Sequence, residues 1–204
     1  MKQVAGIILA AGMSHRMGTV KQLLPLAEKP LLAHVLEATL ASRLDKVVLV
    51  LGYEEKRIRE ALGLMLANPK LAVVINKRYQ EGLATSLASG LKEVATDFPG
   101  VMFLLGDQPL IDAETIDLLL DHFRSSPRGI CVPTYGAKRG NPVCFKHSYY
   151  GKLFTLTGDC GAREIINSHP QDVLAVEIKN PDVFLDVDDP LSFEYVKKLK
   201  SKGK

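Results

Sequence analysis

The chain has 204 residues, of which 47% are hydrophobic and 24% are charged, with a formal net charge of +3 at pH 7. These values are typical of one globular domain, long enough to fold without a disulfide or metal staple. The small net charge gives no support for nucleic acid or an anionic membrane as a partner. No stretch approaches the ~20 apolar residues of a transmembrane helix.

The three cysteines, Cys131, Cys144 and Cys160, cannot pair completely and show no C-x-x-C spacing. This pattern favours reduced thiols in a cytoplasmic protein over a zinc site. Lys2 precedes the apolar run 4–11, so a short secretory leader has to be considered. The Val, Ile and Leu content of that run suits a buried parallel strand, which is the interpretation we favour.

Short aliphatic runs alternate with helical patterns along the chain. Strands are predicted over residues 4–9, 46–51, 71–75, 101–105, 130–132, 142–145, 173–178 and 183–187. Helical stripes are predicted at Leu32/Val35/Leu36/Thr39/Leu40, over 82–96, at Ile116/Leu119/Leu120/Phe123 behind an Asp112 N-cap, and from Asp189-Pro190 onward. The alternation predicts an α/β fold: a mostly parallel, twisted sheet with helices on both faces. Beyond Thr134 the pattern loosens, which predicts a small inserted substrate-binding subdomain over the sheet edge.

Open α/β sheets bind ligands beyond the carboxyl ends of their strands. This rule selects three turns that are rich in glycine or acid, at residues 10–21, 106–111 and 186–190. We expect the functional site to form where these turns meet.

The first turn, within LAAGMSHRMGTVK at 9–21, has the ingredients of a phosphate site. It is not a Walker A loop, because five residues separate Gly12 from Gly18 and Lys21 follows three positions later. Glycine amides can still form a nest for phosphate oxygens, while Arg16 and Lys21 supply cations. The alternative is a structural glycine turn with two solvated cations.

Aspartates follow two of the other predicted strands. Asp107 lies in GDQP, directly after VMFLL, and Asp186 and Asp188 lie in FLDVDDP. Carboxylates combined with substrate phosphates are typical ligands of Mg²⁺. In a strand Asp186 and Asp188 would share one face, with Asp189 left to cap the next helix. We favour Asp107 and Asp188 as metal ligands over Asp186.

These motifs resemble those of the nucleotidyltransferases that have a glycosyltransferase-A-like Rossmann core. LAAGMSHRMG with KQLLP carries the superfamily resemblance. GLATSLASGL, GDQPLI, RGNPVCF, TGDCGAR and DVDDP narrow it to the molybdenum cofactor cytidylyltransferases, of the MobA/MocA-like family. The resemblance spans nearly the whole chain in order, as one domain over 1–204, with a nucleotide-binding half near 1–110 and an acceptor-binding half near 111–204.

The resemblance implies transfer of CMP from CTP to the terminal phosphate of molybdopterin, with Mg²⁺ as cofactor and pyrophosphate as the second product. It implies Arg16, Lys21 and Asp107 as catalytic residues. The implied nucleotide-binding set is Leu9, Ala10, Ala11, Gly12, Ser14, Arg16, Met17, Gly18, Lys21, Asn76, Gly82, Ser86 and Asp107. The implied acceptor-binding set is Gln108, Arg139, Gly140, Asn141, Pro142, Asp159, Gly161 and Arg163. A transient contact with a molybdenum hydroxylase is also implied.

The sequence departs from the family pattern at two points. The family's last motif usually reads like DxDTPED, whereas Asp189 here replaces the threonine, and His15 stands where a small or basic residue is usual. Ala11, where guanylyltransferase relatives usually have glycine, favours cytosine by resemblance. Three alternatives stay open: GTP as donor, another phosphorylated acceptor such as a sugar phosphate, and a factor that inserts the cofactor without making it.

Overall fold

The computed structural model describes residues 3–14 and 17–202. Its strands are β1 Val4–Ala10, β2 Pro25–Leu26, β3 Lys29–Pro30, β4 Lys46–Leu51, β5 Leu71–Ile75, β6 Gly100–Leu105, β7 Ile130–Tyr135, β8 Lys138–Arg139, β9 Val143–Lys146 and β10 Val173–Glu177. Its helices are α1 Leu31–Ala41, α2 Glu55–Leu62, α3 Leu83–Lys92, α4 Ala113–Ser125, α5 Tyr150–Phe154, α6 Arg163–Ser168 and α7 Pro190–Lys202.

Eight strands form one sheet. Seven of them lie in the order β10-β7-β9-β6-β1-β4-β5, and β8 pairs with the C-terminal end of β7. β1 pairs in parallel with both β4 and β6, and β5 extends the parallel run. β9 runs antiparallel between β6 and β7. The predicted mostly parallel sheet is therefore confirmed.

Alternate residues of β1 point into two separate cores, one on each face of the sheet. Ile8 packs in a cluster with Leu36 of α1 and Leu119 of α4. Ile7 packs on the other face with Leu87 of α3 and Leu153 of α5. Every residue of β1 is buried, as expected for a central strand covered on both sides. The predicted helical layers on both faces are confirmed.

Two helix starts follow the predicted capping. The side chain of Asp112 accepts a hydrogen bond from the Thr115 amide at 2.7 Å and caps α4. α7 begins at Pro190, and Asp189 Oδ1 accepts from the Ser192 amide at 2.8 Å. Within the part of the chain that the structure describes, no helix has the length and apolar character needed to cross a membrane.

Two predictions about the second half of the chain are wrong. Residues 183–187 do not form a strand: Pro181–Phe184 is a 3₁₀ turn, and the segment after it runs extended without a ladder. The run is apolar because Val183 and Val187 are buried beneath the turn. The predicted insert does not simply lie over the sheet edge, since its strand β9 occupies the middle of the sheet. Its Cys144 and Phe145 are fully buried there.

Candidate active site

The carboxyl ends of β1 and β6 meet at the site. The Gly106 amide donates to the carbonyl of Leu9 at 2.9 Å, so the turns after the two strands start side by side. A Cβ at position 106 would lie 2.8 Å from the Cβ of Ala10, which explains the glycine there. This close approach brings the first turn next to Asp107.

Lys21 forms the centre of a charged cluster with Asp107 and Asp188. Its Nζ lies 2.5 Å from Asp107 Oδ2 and 2.9 Å from Asp188 Oδ1. The amide of Val187 also donates to the carbonyl of Asp107 at 2.9 Å, which ties the two acidic segments together. The structure thus brings together three side chains that the sequence placed at the ends of different elements.

The two aspartates keep the Lys21 side chain positively charged. Burial lowers the pKa of Lys21, but the charge of Asp107 and the hydrogen bonds to Asp107 and Asp188 outweigh this effect. The pKa of Lys21 therefore lies above its usual value, and the ammonium group stays charged. It neutralises one of the two negative charges beside it.

One carboxylate oxygen of Asp107 is left without a protein partner among the described residues. Asp107 Oδ1 is buried and has no hydrogen-bond partner among the described residues. Buried carboxylate oxygens are costly unless they are paired, and oxygen is the donor that Mg²⁺ and Mn²⁺ prefer. The Asp107 and Asp188 carboxylates therefore fit a divalent cation. Residues 3–14 and 17–202 show no group of three or more His, Cys, Asp or Glu side chains placed to hold a metal ion by themselves.

Asp186 has a different environment from Asp188. Gln108 Nε2 donates to Asp186 Oδ1 at 2.7 Å and to the carbonyl of Phe184 at 3.3 Å. Asp186 is exposed, but the protein atoms crowded round its carboxyl group and the charge of Asp107 raise its pKa to about 6. Residues 185–188 are not the predicted strand, and the charge of Asp188 also contributes to the raised pKa of Asp186.

The glycine turn is held by a buried glutamine that sequence reasoning missed. Gln22 is 2% exposed, and its Nε2 lies 3.3 Å from the carbonyls of both Ala10 and Gly12. Ser14 Oγ lies 3.4 Å from Gln22 Oε1 and 3.3 Å from the amide of Lys21, which donates to it. The signal was the glutamine in KQLL, a long polar residue directly after the candidate lysine.

Gly12 and Gly18 are the two glycines of this turn. A Cβ on Gly12 would meet nothing within 4 Å, and Gly18 has a φ of +63°. Met17 donates its amide to the carbonyl of Ser14 at 3.0 Å. His15 and Arg16 lie outside the described residues. The catalytic role predicted for Arg16 therefore stays a prediction.

Asn76 and Ser86 lie on the far side of the nucleotide half. Asn76 Nδ2 donates to Thr85 Oγ1 at 2.9 Å and to Ser86 Oγ at 3.0 Å, and its Oδ1 accepts from the Arg78 amide. These bonds join the end of β5 to α3. Asn76 also lines a cavity of about 420 Å³ that is separate from the larger one described next.

A cavity of about 990 Å³ is lined in part by Leu9 and Leu105, which lie at the carboxyl ends of β1 and β6. Leu9, Leu83, Leu87, Phe103 and Leu105 form its apolar floor. Six of the predicted acceptor residues lie on its wall: Arg139, Gly140, Asn141, Asp159, Gly161 and Arg163. Pro142 is buried beneath the wall, and Gln108 contacts Asp186 instead. Glu164, Ile166 and Asn167 of α6 line the cavity but were not predicted, because α6 itself was not.

Several motif residues of the wall have packing roles. A Cβ on Gly82, whose φ is +106°, would lie 2.2 Å from the Gly158 backbone. Asp159 Oδ1 accepts from the Leu83 amide at 3.3 Å and so caps α3. A Cβ on Gly140 would lie 2.3 Å from the Phe184 ring.

The cysteines are free thiols, and Cys131 and Cys144 are buried. Cys160 is the one that lines the large cavity. Its Sγ donates to Glu164 Oε1 at 3.2 Å, and this bond with the nearby negative charge raises the pKa of the thiol. A thiol held protonated in this way is a poor nucleophile.

A lysine and carboxylates at the carboxyl edge of a mostly parallel sheet are typical of α/β proteins that bind phosphorylated ligands. Residues 6–173 match the model of the MobA-like NTP transferase domain, and the chain belongs to this family. It is therefore a nucleotidyltransferase by class.

Two curated relatives match along nearly their whole length. The purine catabolism protein PucB of Bacillus subtilis is 28% identical, over 96% of this chain and 97% of that protein. The molybdenum cofactor cytidylyltransferase of Escherichia coli is 26% identical, over 95% of each. The names of these two relatives point to different processes.

Solved structures show the same fold. The Rv0371c homologue from Mycobacterium sp. strain JC1 has a TM-score of 0.85 and 30% identity, with 98% of each chain covered. Rv0371c of Mycobacterium tuberculosis H37Rv, in complex with manganese, has a TM-score of 0.78 and 29% identity, with 97% of this chain and 99% of that one covered.

Proposed function

We propose that this nucleotidyltransferase transfers CMP from CTP to the terminal phosphate of molybdopterin and releases pyrophosphate. The observation that carries the proposal is the Lys21–Asp107–Asp188 cluster, together with the 990 Å³ cavity at the carboxyl ends of β1 and β6. The cluster offers charge for a triphosphate, and the cavity has room for a second, larger substrate. The resemblance of RGNPV and GDCGAR to the cytidylyltransferases, and the name of the E. coli relative, support the choice of substrates.

The proposed reaction requires the protein mainly to position the two substrates and to neutralise the charge of their phosphates. The pterin phosphate is already anionic, so its oxygen attacks the α-phosphorus in line without a general base, and the bond to the pyrophosphate oxygen breaks. No protein nucleophile is required, in keeping with the protonated thiol of Cys160. Lys21 would hold the triphosphate and stabilise the charge that develops on the leaving pyrophosphate.

A divalent cation, proposed as Mg²⁺ held by Asp107 and Asp188, would neutralise charge on the reacting phosphates when bound. The buried, unpartnered Asp107 Oδ1 and the manganese complex of the Rv0371c protein support this assignment. The hydrogen bond from Gln108 to Asp186 Oδ1 supports Asp188 over Asp186 as the second ligand.

The two substrates would bind on either side of the cluster. The backbone of residues 10–12 would face the nucleotide, with Gln22 fixing its carbonyls. Arg139 and Arg163, both exposed on the cavity wall, would bind the pterin phosphate, and Asn141 would face the pterin ring. The product would pass to a molybdenum hydroxylase through a transient contact.

Pyrophosphate release with molybdopterin and either CTP or GTP tests the proposal. We expect turnover with CTP and much less with GTP. Asp107→Asn should abolish it, whereas Asp121→Asn, which only removes an exposed ion pair with Arg43, should not. Equal or faster turnover with GTP would contradict the base assignment, and an active Asp107→Asn variant would contradict the role of the cluster.

A further inference from the structure

Lys21 occupies the space between the two carboxylates that would bind the cation. Its Nζ contacts one oxygen of Asp107 and one of Asp188 at 2.5 and 2.9 Å. The two side chains come from segments 81 positions apart in the chain, and the ammonium group holds their charges together. A divalent cation between the same oxygens would meet a positive charge at contact distance.

We propose that Lys21 keeps the metal out of the Asp107–Asp188 pair until a triphosphate draws the lysine away, so that metal and nucleotide bind as a coupled pair. This inference rests on the proposed function for the identity of the triphosphate, but its metal-binding half concerns the protein alone. The described residues support it in two further ways.

First, the positive charge of Lys21 offsets negative charge on Asp107 and Asp188. Lys21 is 14% exposed and Asp107 20% exposed, so their ion pair is shielded from solvent. A shielded pair of this kind is costly to break unless another charge takes the place of the partner that leaves. The polyphosphate supplies negative charge to Lys21 at the same moment as a cation supplies positive charge to the aspartates.

Second, the backbone of Lys21 is held in place, whereas its side chain is long and has rotatable bonds. Its amide is bound to Ser14 Oγ at 3.3 Å, and the next residue, Gln22, is locked by two backbone carbonyls. The long side chain can therefore turn from the aspartates toward the turn at Gly12 without moving its backbone. The exchange needs only side-chain rotation.

Coupling of this kind is reciprocal. If the nucleotide raises the affinity for the metal by some factor, the metal raises the affinity for the nucleotide by the same factor. The coupling also has a direct signature in the absence of nucleotide: removing the charge of Lys21 should create a stronger metal site. No change that merely loosened the fold would tighten metal binding.

The test is a titration of the full-length protein with Mn²⁺ alone, followed by the electron paramagnetic resonance signal of free Mn²⁺. We expect Lys21→Gln and Lys21→Met to bind Mn²⁺ about tenfold more tightly than the wild type, within the usual range of coupling between sites. Lys21→Arg, which keeps the charge, should bind as weakly as the wild type.

Lys46→Gln is the matched control. It removes the same charge from the ion pair with Glu93 at the start of β4, at the opposite edge of the sheet, and should leave Mn²⁺ binding unchanged. The double variant Lys21→Gln/Asp107→Asn should lose the gain, which would locate the metal at Asp107. Thermal denaturation of each variant confirms that it is folded.

Neutral Lys21 variants that bind Mn²⁺ no more tightly than the wild type would overturn the proposal. So would a gain that survives in the double variant. Because this titration contains neither nucleotide nor acceptor, its result is independent of whether CTP and molybdopterin are the substrates.

Discussion

Gln22 offers the sharpest test of how the glycine turn is held. Replacing it with methionine keeps the volume of the side chain but removes both donor bonds to the carbonyls of Ala10 and Gly12. Because Gln22 is 2% exposed, water cannot readily replace them. Each net hydrogen bond contributes about 0.5–1.5 kcal/mol, so we expect a loss of about 2 kcal/mol. For a chain of this length that lowers Tm by about 4–8 °C.

The same change should weaken nucleotide binding. If about 1.4 kcal/mol of the loss falls on the ordering of the turn, the KM for the nucleotide rises about tenfold. The assay is pyrophosphate release over a range of nucleotide concentrations, with Tm from circular dichroism. Gln22→Ala should show both effects and an added loss of packing. A Gln22→Met protein with wild-type Tm and KM would refute the argument, since it would show that volume alone matters at this position.

Three further changes test other parts of the structure. Gly82→Ala should strongly lower Tm, because its Cβ would lie 2.2 Å from the Gly158 backbone at a φ of +106°. Ser192 Oγ accepts hydrogen bonds from the amides of Asp188 and Asp189, each at 3.1 Å. Ser192→Ala should lower Tm by about 2–4 °C, the effect of a lost helix cap of about 1 kcal/mol, and should also lower kcat because the bond that positions Asp188 is lost. Tyr149→Phe should lower Tm at pH 7, because the hydrogen bond from Tyr149 lowers the pKa of Asp172. That stabilisation is present above the unfolded pKa of about 3.9 and is lost as the pH falls through the lower folded value, so the Tm difference should shrink in acid.

Two of these predictions have a control variant. Gly12→Ala, where a Cβ meets nothing within 4 Å, should leave Tm near the wild type. Asp112→Ala removes the cap of α4, which accepts from the Thr115 amide, and should lower Tm without changing kcat. A Gly82→Ala protein as stable as Gly12→Ala would contradict the packing argument. Equal kcat for Ser192→Ala and wild type would contradict the link to Asp188, and a Tm difference for Tyr149→Phe that is constant with pH would contradict the role of Asp172.

The central part of the fold could be predicted from sequence because its signals are local and strong. β1 is a continuous apolar run that is buried throughout, and the acidic turn after VMFLL follows β6 directly. The general rule that carboxyl ends of parallel strands share an edge then predicts that Lys21 and Asp107 approach each other. In the structure the Lys21 and Asp107 side chains are in contact at 2.5 Å.

The parts that could not be predicted depend on distant packing. The run 183–187 is apolar like a strand, yet its amides bond to Asp182 and Asp107 rather than to a neighbouring strand. α2 was missed because only Ile58 and Leu62 of its eight residues are buried, too few for a helical stripe. The position of β9 between β6 and β7 follows from pairing across the whole sheet, which periodicity cannot reveal.

The roles of two further site residues could not be predicted from the sequence, for a related reason. Gln22 and Ser192 act by hydrogen bonds to backbone groups, and a polar residue beside a motif looks the same whether it faces solvent or the protein. The spacing of Asp189 and Ser192 does match a reciprocal cap, with each side chain bonded to the other residue's amide. Sequence alone suggested Asp189 as a cap but not the partner that completes it.

We propose that the protein makes a cytosine dinucleotide cofactor, rather than only binding or delivering one. The direct measurement is mass spectrometry of the pterin before and after incubation of the protein with molybdopterin, CTP and Mg²⁺. We expect a pterin heavier by one cytidine monophosphate unit, formed with the wild type and not with Asp107→Asn. An unchanged pterin that remains bound to the wild-type protein would contradict the claim and identify a carrier instead.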